Sequence, residues 1–97
     1  MAVAISVFEI HLPSARSLKE KRRVVHALVE RLHRRYRVSV AETAFHDLHQ
    51  RAEISVAAVA SSGGELEKLL DDLRRTIDGE PEAMLTAWNP QILEEVT

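Results

Sequence analysis

Nine arginine and lysine side chains fall between Arg16 and Arg37, and the chemistry open to them is the binding of anions. They are Arg16, Lys19, Lys21, Arg22, Arg23, Arg31, Arg34, Arg35 and Arg37, set against only Glu20 and Glu30. That is a local excess of +7 in a chain whose formal total is −2, which leaves −9 on the remainder. A guanidinium presents a rigid fork of donors that matches phosphate or carboxylate geometry, and an ammonium adds a point charge. Like charges at helical spacing repel by about 0.2–0.5 kcal/mol per pair, so the stretch invites an anionic partner. The simpler account is a solvated helix face whose last arginines suit the helix dipole.

A second group, Glu42, His46, Asp47, His49 and Arg51, mixes carboxylate with imidazole. Such groups hold divalent metals, but this short spacing matches no zinc pattern, so the residues read as a surface turn and no metal is expected. A polar pocket converging on Glu42, His46, Asp47 and Arg51 would favour an enzyme instead. The absence of cysteine excludes disulfides, thiolate metal sites and cysteine nucleophiles. Gly63-Gly64 precedes a helical pattern, but Glu65 and Glu67 beside it would repel a phosphate. No nucleophile with its base and orienting group is legible. The reading is a non-enzymatic protein without a cofactor.

The elements that must position these residues are written in periodicity and caps. Ser17 and Glu20 form a capping box, and Leu18, Val25, Leu28, Val29, Leu32 and Tyr36 then mark one face of a helix running to Arg37. Ser62 and Glu65 form another, followed by Leu66, Leu69, Leu70, Leu73 and Ile77 up to Gly79, with Glu65, Glu67, Asp71 and Asp72 opposite. Ala2–Leu12 alternates as a strand, with Phe8, Ile10 and Leu12 on one side and Val7, Glu9 and His11 on the other; its doubly apolar first half suits a central strand. Arg51–Ser61 alternates likewise, with Ile54, Val56 and Ala58 inward. Pro81 opens a last extended segment, Glu82–Asn89, and Pro90 restricts the residues after it to a sheet edge or tail.

Val38–Phe45 is the difficult strand. Val38 and Val40 point inward, and Glu42 shares their parity. Either a bulge near Val40–Glu42 turns Thr43 and Phe45 inward, or Glu42 is a buried carboxylate; the bulge is the cheaper solution, since an unpaired buried charge is costly.

The resulting order βαββαβ predicts a ferredoxin-like α+β domain over residues 1–97, two helices on one face of a four-stranded antiparallel sheet. RNA-recognition modules of this class stack bases on rings of the third strand, but Ile54, Val56, Ala58 and Val59 offer none. Any RNA contact should therefore run through phosphates. The far sheet face, with Val3, Ile5, Val7, Ala57 and Val59, suits a homodimer. No signal peptide or membrane span is visible, because Ala2–Leu12 is too short and lacks a basic flank, so the expected compartment is the cytoplasm.

SLKEKR at Ser17–Arg22, VSVAE at Val38–Glu42, and Asp47, Gln50 and Arg51 in a D-x-x-Q-R pattern resemble the YlxP-like family of small bacterial proteins of unassigned function. The resemblance spans essentially the whole chain. It implies a ferredoxin-like fold and a gene neighbourhood with translation-initiation and ribosome-maturation factors, hence a ribosome or RNA association; it brings no catalytic residues. The family-motif positions here are Ser17, Lys19, Lys21, Arg22, Asp47, Gln50 and Arg51. Ser17 is already accounted for as a cap, and an Asp47–Arg51 pair across the turn would account for two more. The expectation is an accessory protein that docks Lys19, Arg22, Arg23, Arg34 and Arg35 on structured RNA or the small ribosomal subunit. The alternative is a protein-interaction module, either the homodimer or the docking of an acidic protein.

Overall fold

The computed structural model describes residues 1–94; residues 95–97, part of the single domain expected over 1–97, lie outside the described residues. The elements are β1 (Ala2–His11), α1 (Leu18–Tyr36), β2 (Ser39–Ala44), β3 (Arg51–Ala60), α2 (Gly63–Asp78) and β4 (Met84–Glu94). All strand pairings are antiparallel, and the order β2-β3-β1-β4 places β1 and β3 in the middle. This is the ferredoxin-like arrangement read from the sequence.

Both serine caps form, and each glutamate reaches back to the amide just before its cap. Ser17 Oγ accepts from the Glu20 amide at 3.1 Å, and Glu20 Oε2 accepts from the Arg16 amide at 2.7 Å. At α2, Ser62 Oγ accepts from the Glu65 amide at 3.4 Å, and the Glu65 carboxylate takes the Ser61 amide at 3.3 Å. Neither helix ends on a left-handed glycine. Arg37 caps α1 in the left-handed region at φ 53°, whereas Gly79 follows α2 with helical angles, φ −81°.

Alternation along β1 and β3 decides which face meets the helices. Phe8, Ile10 and Leu12 of the first strand segment, with Ala52, Ile54 and Val56 of β3, face Leu28 and Leu32 of α1 and Leu66, Leu73 and Ile77 of α2. Each large apolar side chain so buried contributes about 1.5–3 kcal/mol of transfer free energy. Trp88 on β4 lies against the Phe8 ring at 5.5 Å, as edge-strand packing. Tyr36 joins the two helices through its hydroxyl, which meets Thr76 Oγ1 at 2.6 Å and donates to the Asp72 carbonyl at 3.1 Å.

Among the described residues two bulges interrupt the ladders, each at a threonine. Thr86 is extra opposite the Glu9–Ile10 step and donates to the Glu9 carbonyl at 3.2 Å. Thr43 is extra in β2, between Glu42 and Ala44. The expected bulge thus exists one step later than its effect required: Glu42 keeps the parity of Val38 and Val40, and Thr43 stays on the open face, 2.6 Å from Glu53 Oε2 and 2.7 Å from Ser55 Oγ. Phe45 does not turn into the core either. It takes a left-handed φ of 64° and is only half-buried.

Ser6 is the polar exception on the buried side of β1. Its side chain is fully buried, and Oγ has no hydrogen-bond partner among the described residues. An unsatisfied buried hydroxyl carries its desolvation penalty without return. Ser6→Ala is therefore expected to leave stability unchanged or raise it by up to about 1 kcal/mol in urea unfolding; a clear loss would overturn this reading.

Candidate nucleic-acid interface

The three sequence motifs converge at one end of the sheet. Lys21 lies in the apolar stripe of α1 and is fully buried, and Glu42 reaches it from β2. The Lys21 ammonium sits 2.8 Å from Glu42 Oε2 and donates to the Phe45 carbonyl at 2.6 Å. That carboxylate oxygen is sealed from solvent; the ammonium is its ion-pair partner, and it accepts no hydrogen bond among the described residues. Glu42 is therefore an inward carboxylate, the more costly of the two solutions open to the strand, and a lysine on the facing helix removes that cost. The left-handed turn at Phe45, which costs a non-glycine residue roughly 1–2 kcal/mol, accompanies the carbonyl that meets the ammonium.

Gln50 and Arg51 tie the same end together. Gln50 Nε2 donates to the Pro13 and Ala15 carbonyls, each at 3.3 Å, while the Gln50 backbone carbonyl accepts from the Leu12 amide at 2.9 Å. Arg51 grips Glu9 with two hydrogen bonds of 2.8 and 2.9 Å and lies 3.8 Å over the Phe45 ring. Its partner is thus Glu9 across the sheet and not Asp47. The Arg51 guanidinium holds the Glu9 carboxyl below its ordinary range, and Glu9 in turn raises Arg51.

The charge of α1 divides between its two flanks. Toward the loop after α2, Arg23 meets Glu82 at 3.0 Å and Arg31 meets Glu80 at 3.2 Å. Glu82 raises the affinity of Arg23 for its proton. Arg34 pairs along the helix with Glu30 at 3.6 Å, and Arg35 lies 5.4 Å over the Tyr36 ring. Toward β2 the cations are free: Lys19 and Arg22 are exposed and, among the described residues, pair with no carboxylate. They rim an open groove of about 590 Å³ whose floor is Val25 and Val29 and whose walls include His26 and Glu42.

Of the five residues read as an RNA surface, Lys19, Arg22 and Arg23 therefore border one groove, whereas Arg34 and Arg35 lie near the other end of the helix. Of the motif residues, Ser17 is a cap, Lys21 a buried ion, and Gln50 and Arg51 ties between loops and strands; Asp47 is exposed in the turn. The remaining group disperses. His46 Nε2 lies 3.2 Å from the Glu42 carbonyl, Glu42 itself turns to Lys21, and no three His, Asp or Glu side chains among the described residues assemble as metal ligands. His33 Nδ1 meets the Val38 carbonyl at 2.8 Å and so belongs to the turn after α1. No helix among the described residues is long and apolar enough to cross a membrane.

Similarity to solved structures follows the fold. The chain aligns with the de novo designed protein Foldit4 at a TM-score of 0.55 and 11% identity, covering 99% of this chain and 100% of that one. A designed ferredoxin-fold protein, LFR1 1, matches at 0.52 and 14% over 100% and 88%. The structure of Rv0793 from Mycobacterium tuberculosis matches at 0.51 and 14% over 100% and 97%. These place the chain in the ferredoxin-like class. In sequence, residues 3–89 match the family described as Protein of unknown function (DUF503), and the chain belongs to it. The Uncharacterized protein YlxP of Bacillus subtilis (strain 168) is 40% identical over 68 residues, 70% of this chain and 74% of that protein.

The ion pairs make two outcomes testable. Glu42→Gln leaves a sealed ammonium without a counter-charge, and its expected cost is about 3 kcal/mol, with Lys21→Met/Glu42→Leu recovering most of it; equal losses in single and double variants in urea unfolding would contradict this. Because the Glu9 carboxyl is depressed in the folded state, its pair with Arg51 stabilises above the ordinary carboxylate range and ceases to do so as pH falls through the folded value. The stability gap between wild type and Glu9→Gln should accordingly be present at neutral pH and close in acid; a gap constant with pH would refute it.

Proposed function

We propose that this chain is a non-enzymatic accessory protein that binds phosphate groups of structured RNA, in a ribosomal precursor or small subunit, through the flank of α1 above β2. One observation carries the reading. Lys19 and Arg22, one helical turn apart, are exposed and, among the described residues, unpaired on a groove rim, while Arg23, Arg31 and Arg34 each have a carboxylate of the same chain. Within SLKEKR, Ser17 caps the helix, Glu20 bonds back to the Arg16 amide, Leu18 is half-buried and Lys21 is a buried ion; Lys19 and Arg22 are left over for a partner. Arg23 borders the same groove through a solvent-exposed bridge, in which a phosphate can replace Glu82. Arg34 and Arg35 become peripheral contacts.

A second reading has its own support. The open sheet face carries Ile5, Val59 and Leu93 at 45, 69 and 56% exposure, with Val59 and Leu93 on either side of Val3 and Ile5 two residues further along β1, which suits association with a second copy. Light scattering that returns a monomer at every concentration removes it.

The test of the first reading is binding to small-subunit ribosomal RNA across a salt series. Lys19→Glu/Arg22→Glu is expected to weaken binding at least tenfold and to lower the salt slope by roughly two, while Arg74→Glu on α2 changes neither. Unaltered binding by the folded double variant would sink the proposal.

A further inference from the structure

We infer that the groove between α1 and β2 seats one unpaired nucleotide of the RNA, with its base on Val25 and Val29, its amino edge toward Glu42 and its flanking phosphates on Lys19 and Arg22. The inference rests on the RNA-binding reading of this flank and names the class of RNA. Docking on a regular duplex needs only the cationic rim. It makes no contact with the exposed part of the apolar floor, and the carboxylate in the wall, held there by Lys21, repels phosphate.

Each of those two features fits a base. Half-buried Val29, with the edge of the largely buried Val25, offers an apolar face on which a flat ring can lie, and the wall brings the imidazole of His26, a side chain on which unstacked bases settle. Glu42 supplies an acceptor for an exocyclic amino group. One of its oxygens is committed to Lys21, and the 18% of the side chain that stays exposed borders the groove. The rim residues Lys19, Arg22 and His26 recur at three- and four-residue spacing, so they line one side of α1 over about 10 Å. A volume of about 590 Å³ falls within the ~300–1,000 Å³ of ordinary ligand pockets. The centre of the open sheet face gives no competing platform: on β1 and β3 it presents Val3, Ile5, Val7, Ser55, Ala57 and Val59, without a ring, and His11 lies at the end of β1 opposite Arg51.

The experiment compares three RNA hairpins with equal phosphate counts by fluorescence anisotropy: one fully paired in its stem, one with a single bulged guanosine, and one with an abasic bulge. The bulged guanosine is expected to bind about tenfold more tightly than the other two. Val29→Gln, which removes the apolar floor without adding a ring or a charge, should abolish that gain while leaving affinity for the paired stem and its salt slope intact. Equal affinity for all three hairpins with the salt slope preserved overturns the seated base and leaves phosphate docking standing. Failure of every RNA to bind, or tighter capture of an acidic peptide than of any RNA, overturns both.

Discussion

The contact between the Lys21 ammonium, Glu42 and the Phe45 carbonyl holds together three parts of the chain that sequence keeps apart. A charge with no access to water survives in a core only when its partner is close and its remaining donors are placed. That requirement fixes the rotation of α1, since Lys21 must point at the sheet. It also fixes the register of β2, whose Glu42 must follow Val38 and Val40 inward. Rotation of α1 in turn decides which arginines face the loop after α2 and which face the edge strand. The free rim of Lys19 and Arg22 is thus a by-product of where one lysine is buried.

The division of charge has a second cause in the loop after α2. Glu80 and Glu82 come from the acidic remainder of the chain and lie against the near flank of α1. They reduce the repulsion among cations on a nineteen-residue helix without covering its far flank. What looks in sequence like one basic rod is a half-neutralised rod with a bare side.

The fold was legible because its signals are local: two capping boxes, two apolar stripes and strands with period two. The interface was only partly so. Lys19, Arg22 and Arg23 could be named from charge alone, but their grouping on one groove depends on Val25 and Val29, which read simply as core. Lys21 and Glu42 were each legible as a flaw, a lysine four residues before Val25 on the apolar face and a glutamate on the inward parity of a strand. Two flaws of opposite sign on elements that pack together are a joint signal, and only the pairing makes it readable. For Arg51, sequence proximity points to Asp47 in its own turn. Its actual neighbour, Glu9, is brought opposite by the β1–β3 register, where His11 pairs with Arg51 and Glu9 with Glu53.

Pro90 sits in β4 opposite Ser6 of β1, on a strand with no neighbour beyond it among the described residues. Proline offers no amide hydrogen, so the outer border of β4 has a gap in the row of donors that an incoming strand would need. The other border belongs to β2, only six residues long and kinked at Thr43. Both margins of the sheet are therefore poor templates for adding a further strand, so any contact between copies would have to use the uncovered sheet surface and not its borders.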